Sequence, residues 1–210
     1  MHGGGIINEM PPPSAVSSTV VSAIKNVAVF CASADGADPV FRAVAEELGR
    51  KLAERGIGVV YGGGRVGLMH AVAEGALAVG GRVVGVIPTV LVEQEVAHDG
   101  LTELHVTDTM HTRKAMIGAR SDAFIALPGG YGTFEEMFEA LAWQTLKLHS
   151  KPVLLLNTNG FYDTLLKFLD ECVEQGMLTQ EKREIVLVAQ TVDEALGMLG
   201  LMDSAKGEPR

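Results

Sequence analysis

Residues 121–136 read Ser121-Asp122-Ala123-Phe124-Ile125-Ala126-Leu127-Pro128-Gly129-Gly130-Tyr131-Gly132-Thr133-Phe134-Glu135-Glu136, and they decide the fold. The first seven are mostly apolar, Ala123 to Leu127 without a break, and short enough for a buried strand, while Phe134, Met137, Phe138, Leu141 and Leu146 recur near helical spacing. Between them lies a proline-glycine turn. Glycine lets a backbone approach a ligand closely, and the free N–H groups at the start of a helix attract phosphate or carboxylate. A strand, a glycine turn and a helix in that order therefore predict an anion cradle, with Glu135 and Glu136 in the helix that follows.

The same alternation extends in both directions. Strands are expected at Val27 to Cys31, Gly58 to Tyr61, Val83 to Ile87, Asp122 to Leu127, Val153 to Leu156 and Ile185 to Val188, with an extra short one within Leu101 to Thr109. Helices are expected at Pro39 to Arg55, Gly67 to Val79, Thr109 to Ala119, Thr133 to Leu148, Phe161 to Gln175 and Val192 to Leu199. This pattern predicts an α/β fold, a parallel sheet with helices on both faces. Such sheets bind ligands beyond the carboxyl ends of their strands, so Ala32 to Gly36, Gly62 to Gly67 and Pro128 to Thr133 are expected to converge. Pro88 to Gly100 reads as a long connection holding Glu93 and Glu95.

With 210 residues, 47% of them hydrophobic, the chain can bury one core without disulfides or metal. One domain is expected over residues 25–202, preceded by a flexible extension rich in Gly, Pro and Ser at 1–24 and followed by a flexible tail at 203–210. A net charge of −9 argues against a polynucleotide partner, although Arg113, Lys114 and Arg120 form a local cationic group upstream of the glycine turn. Cys31 and Cys172 are the only cysteines and form no CxxC pair, which suits a reducing, cytoplasmic compartment. No membrane-spanning or export segment is expected.

Gly62-Gly63-Gly64-Arg65-Val66-Gly67 formally matches the dinucleotide fingerprint GxGxxG. It follows the second strand rather than the first, and the next strand ends Val86-Ile87-Pro88 with no acidic residue for a ribose, so a tight turn beside some other nucleotide is the better reading. Arg113 and Lys114 diverge by about 100° on their helix, so only one of them points fully into a site. Arg113 is the expected inner residue, because a guanidinium keeps its charge when desolvated. Glu136 shares a stripe with Ala140 and Trp143 and is expected to face inward, with Glu135 in support or at the surface. Cys31 reads as a packing residue, and the histidines show no metal-ligand spacing, so no metal is expected.

Tyr61-Gly62-Gly63-Gly64 with Gly67-Leu68-Met69, then Met110-His111-Thr112-Arg113-Lys114, then Pro128 to Glu136, together resemble the Lonely Guy family of cytokinin-activating enzymes. The resemblance spans roughly Asn26 to Leu199. It implies a Rossmann-like doubly wound sheet and hydrolysis of the N-glycosidic bond of N6-modified AMP, with some members also acting on AMP, to give free base and ribose 5-phosphate. Arg113 and Glu136 are then the catalytic pair. Ser33, Glu95, Lys114, Gly129, Gly130, Tyr131, Gly132, Thr133, Phe134 and Glu135 join them in holding a nucleoside monophosphate, the phosphate itself resting on Gly130 to Thr133. The resemblance implies a homodimer, with Trp143 and its helix near the subunit boundary, and no cofactor. Phe30-Cys31-Ala32-Ser33-Ala34 departs from the family's FCGSS, and Ala142 replaces a threonine of plant relatives. The family also carries a lysine decarboxylase label, but no constellation for pyridoxal phosphate stands here. The competing reading is a non-catalytic nucleotide-binding or carrier protein of the same fold, against which the presence of both Arg113 and Glu136 argues.

Overall fold

The computed structural model describes residues 24–92 and 97–202. The expected N-terminal extension (except Ile24), the C-terminal tail, and the residues Glu93 and Glu95 lie outside the described residues. Seven strands form one sheet: β1 (Asn26–Phe30), β2 (Gly58–Tyr61), β3 (Val83–Pro88), β4 (Glu103–Thr107), β5 (Ala123–Ala126), β6 (Val153–Leu156) and β7 (Val186–Ala189). Their order is β4-β3-β2-β1-β5-β6-β7, and every pairing is parallel. The chain forms a Rossmann-like α/β fold.

Interior strands β2, β3, β5 and β6 are buried along their whole length, because helices cover both faces and no side chain on them meets water. β4 is the extra strand within Leu101 to Thr109, and its exposure alternates as an edge position requires. Along β1, Val27 and Val29 enter one core with Leu48, Leu52, Leu68 and Val72. Ala28 and Phe30 enter the opposite core with Ile117, Phe124, Met137 and Leu141. Period-two alternation thus divides one apolar strand between two helix layers.

The helices are α1 (Pro39–Glu54), α2 (Gly67–Leu77), α3 (Met110–Arg120), α4 (Tyr131–Thr145), α5 (Asp163–Glu174), α6 (Gln180–Arg183) and α7 (Val192–Met198). Asp38 caps α1 through a side-chain bond to the Val40 N–H and Thr109 caps α3 through one to the Thr112 N–H, each satisfying a donor the helix itself leaves open. Two expectations need correcting. α4 starts at Tyr131 rather than Thr133 and stops at Thr145, so Tyr131, Gly132 and Thr133 form its first turn and only Pro128 to Gly130 are loop. α5 begins at Asp163, because Thr158–Gly160 forms a separate short 3-10 turn before it.

The strand order reverses between β1 and β5. From β1 the chain proceeds toward β4, and from β5 toward β7, so the loops leaving their carboxyl ends part to opposite faces and open a crevice. Main-chain bonds tie the two lips together: Leu127 N–H donates to the Phe30 carbonyl at 2.9 Å and Ala32 N–H to the Pro128 carbonyl at 3.2 Å. Among the described residues, no helix is long and apolar enough to cross a membrane.

Candidate active site

A cavity of about 280 Å³ occupies this crevice, walled by Ala32, Ser33 and Ala34 after β1, Gly62 after β2, Met69 of α2, Arg113 of α3, and Gly130, Tyr131, Gly132, Thr133 and Glu136 of the α4 turn. The three glycine-containing segments do converge there. Unlike α1 and α3, α4 has no side-chain cap, since its N-cap is Gly130. Its first-turn N–H groups therefore stay available to an anion, in the position the helix dipole also favours. The Thr133 hydroxyl adds a donor: Oγ1 is buried and has no hydrogen-bond partner among the described residues. A Cβ on Gly129 would sit 2.0 Å from that oxygen, so only glycine leaves the hydroxyl its place.

Arg113 is 6% exposed and reaches the cavity from the first turn of α3. Its Nε donates to the Val86 carbonyl at 3.1 Å, its Nη2 to the Gly62 carbonyl at 3.5 Å, and its Nη1 stands 3.3 Å from Glu136 Oε1. A Cβ at position 62 would lie 2.3 Å from Nη2, which gives the second glycine run a steric purpose beside the guanidinium. The Glu136 side chain is 12% exposed and lies against the cavity. A carboxylate held this far from water stays ionised only beside a cation, and a guanidinium keeps its proton at any physiological pH. The pair places a carboxylate, matched by its own cation, next to a donor-rich anion cradle.

Lys114, one residue on, turns away. It bridges Glu135 and Glu139 (2.9 Å to the latter) across from α3 to α4, where with Glu139 it borders a neighbouring cavity between those helices. Burial alone would lower its pKa, but the two carboxylates outweigh it and hold the ammonium above the ordinary lysine value. Neither Lys114 nor Glu135 lines the cradle. Phe134 also departs from expectation: its ring packs edge-on against Tyr162 (centroids 6.4 Å apart) and joins the core, while its N–H is taken by the Gly130 carbonyl at 3.0 Å. Position 134 lies on the α4 stripe that faces the core, 100° from its neighbours. Gly129 lies under the cradle against Thr133, Tyr131 is 94% exposed at its mouth, and Ser33 is exposed on the opposite lip.

Residues that the sequence did not single out also build the site. Cys31, read as packing, is half-buried and lines the cavity. Tyr162, fully buried, donates its hydroxyl to the Leu127 carbonyl at 2.6 Å, and its own N–H donates to the Asn157 side chain at 2.7 Å, so the strand end that launches the glycine turn is braced from below. Burial pushes the Tyr162 phenol well above its usual value, keeping it a donor. On the far side of Glu136, between α3 and α4, a second cavity of about 190 Å³ has a floor of Phe30, Ile117 and Phe124 and a wall of Ala140 and Trp143. Glu136 borders both.

Residues 69–199 match the family model described as "Possible lysine decarboxylase". A cytokinin riboside 5'-monophosphate phosphoribohydrolase from Rhodococcoides fascians is 44% identical over 189 residues, 90% of this chain and 96% of that one. One from Arabidopsis thaliana is 43% identical over 178 residues (85% and 84%), and a probable one from Oryza sativa subsp. japonica is 45% identical over 175 residues (83% and 71%). Among solved structures, the structural-genomics target TM1055 is 27% identical with a TM-score of 0.64, covering 85% of this chain and 99% of that one. A molybdenum cofactor carrier protein from Chlamydomonas reinhardtii is 25% identical with a TM-score of 0.62 (83% and 94%). On the strength of the family match and of relatives this similar over nearly the whole fold, the chain belongs to the Lonely Guy family, whose curated members are cytokinin riboside 5'-monophosphate phosphoribohydrolases.

Proposed function

We propose that this protein hydrolyses the N-glycosidic bond of N6-modified AMP, and of AMP itself, releasing the free base and ribose 5-phosphate. The observation that carries the reading is the buried Arg113–Glu136 pair at the edge of a cavity whose opposite wall is the uncapped start of α4. The substrate phosphate rests on the N–H groups of Gly130 to Thr133 and on the Thr133 hydroxyl. The ribose then extends toward Glu136. As the bond to the base lengthens, positive charge grows on the anomeric carbon, which Glu136 stabilises while it accepts a proton from the attacking water. The new bond joins water oxygen to that carbon, and the old bond's electron pair leaves with the base, which is then protonated from solvent. Arg113 aims Glu136 through their ion pair, and its charge offsets the departing base.

The cavity between α3 and α4 supports an N6 substituent, because it adjoins Glu136 and its floor is aromatic and aliphatic, although Lys114, Glu139 and Lys151 also line it. Exposed Phe138, Leu146 and Leu148 on and just beyond α4 support association of two copies along that helix as a homodimer. The carrier reading draws on the fold shared with the molybdenum cofactor carrier, but a carrier has no need of a buried carboxylate beside its anion cradle.

Chromatography of the products after incubation with isopentenyladenosine monophosphate, and separately with AMP, is the test. Free base with ribose 5-phosphate is the expected result. Nucleoside with inorganic phosphate would mean a phosphatase, and binding without turnover a carrier.

A further inference from the structure

Outside this site the fold brings together two histidines and a carboxylate that the sequence keeps apart. His70 and Glu74 lie one turn apart on α2, and His98 returns beside them from the connection after β3. One ligand atom from each lies within 4.8 Å of the others. His98 is 4% exposed, with its Nε2 3.0 Å from Glu74 Oε1, and the two imidazole centroids are 5.6 Å apart. His70 Nδ1 is buried and has no hydrogen-bond partner among the described residues. A buried ring nitrogen left unmatched beside a second imidazole and a carboxylate is uncommon unless something joins them.

We propose that His70, Glu74 and His98 bind one divalent transition-metal ion of the zinc, cobalt or nickel class. Two imidazoles and one carboxylate suit these borderline ions rather than magnesium or calcium, which take oxygen ligands. Three protein ligands leave a fourth position for water, and the half-exposed Glu74 side chain gives the ion a way in. Tetrahedral ligands at about 2.0–2.1 Å from a metal stand about 3.3 Å from one another, so the cluster has to close by up to about 1.5 Å.

The tautomer of His98 sets a condition. Its Nδ1 accepts the Gly100 N–H at 3.1 Å, so without metal the ring proton sits on Nε2 and is donated to Glu74. Metal on Nε2 moves that proton to Nδ1, which then needs an acceptor. Rotation of the Asp99–Gly100 peptide puts the Asp99 carbonyl where the N–H was, the usual partner of a metal-bound histidine. Such a flip gives residue 100 a positive φ, which glycine adopts without strain. The ion staples α2 to the segment at Ala97 and His98, which is already bound to the second glycine run through the His98 N–H and the Gly63 carbonyl at 3.0 Å. Its role is structural, one layer from the reacting groups.

The experiment uses the full chain, free of any polyhistidine tag and stripped with EDTA, titrated with Zn²⁺ against a chromophoric chelator. One equivalent per chain is expected, with a Tm rise of about 5–10 °C at a hundredfold excess over Kd. Glu74→Gln and His70→Ala, both at partly exposed positions, should weaken binding by about 100-fold or more, and Gly100→Ala by about tenfold although it removes no ligand. His105→Ala should change nothing. Absence of stoichiometric binding, or unchanged affinity in Glu74→Gln and His70→Ala, overturns the site; unchanged affinity in Gly100→Ala overturns the peptide flip.

Discussion

The Arg113 guanidinium lies 3.3 Å from the Glu136 carboxylate, and the two side chains, from α3 and α4, are only 8% and 12% exposed. Because Arg113 also donates to the carbonyls of Val86 and Gly62, its direction is set by β3 and the turn after β2. The carboxylate is therefore aimed by groups from three places outside its own helix: α3, β3 and the turn after β2. This arrangement yields predictions that separate chemistry from folding.

Glu136→Gln keeps the volume and removes the charge. Turnover of isopentenyladenosine monophosphate should fall by about 100-fold or more, with nucleotide affinity nearly unchanged. Single-turnover rates and equilibrium binding check this, and parent-level turnover would remove Glu136 from the catalytic role.

Arg113→Ala should lower stability by about 3 kcal/mol, since it leaves a buried carboxylate without its cation. The double change Arg113→Met with Glu136→Leu should restore part of that loss, because an apolar pair carries no desolvation penalty, yet remain inactive. Denaturant melts compare the two; a double variant less stable than Arg113→Ala would contradict the account.

Gly129 and Gly132 should behave differently. An added methyl at 129 meets Thr133 Oγ1 at 2.0 Å, whereas at 132 nothing lies within 4 Å. Gly129→Ala is expected to distort the cradle and lower Tm, while Gly132→Ala should leave Tm alone and weaken AMP binding more than adenosine binding. Calorimetric titration with both ligands decides, and equal losses for AMP and adenosine would argue against a phosphate seat.

Acid should destabilise the protein partly through His149, whose pKa is depressed, first by burial and then by the nearby Lys151 charge. Below the ordinary histidine value near 6.5 the unfolded chain takes up a proton that the folded one resists, so stability is full above that pH and falls as pH drops toward the lower folded value. His149→Gln, measured in EDTA, should flatten the Tm profile below about pH 6.5. An identical slope in both proteins would assign the acid sensitivity elsewhere.

The legible parts of this molecule are those set by local chemistry. β5 reads as a strand because Ala123 to Ala126 are uniformly apolar, and its neighbours read the same way, so the parallel sheet and its two helix layers follow from periodicity. The start of α4 is less legible. Tyr131 and Gly132 read as loop, yet the first turn of a helix needs only modest propensity once Pro128 to Gly130 has turned the chain. The family resemblance implies a place for Phe134 in the site; the 100° step of the helix sends its ring to Tyr162 instead.

From the amino-acid order alone come the α/β architecture, the glycine turn at the end of a strand, and the resemblance that places Arg113 beside Glu136. These depend on spacing within one element or between neighbours in the chain. Only the folded protein settles which carbonyls hold the guanidinium, that Lys114 serves Glu135 and Glu139 outside the cradle, that Tyr162 braces Leu127, and that His98 comes back to His70 and Glu74. Those contacts join residues far apart along the chain, and their distances are set by how strands and helices stack, a quantity that no local run of side chains encodes.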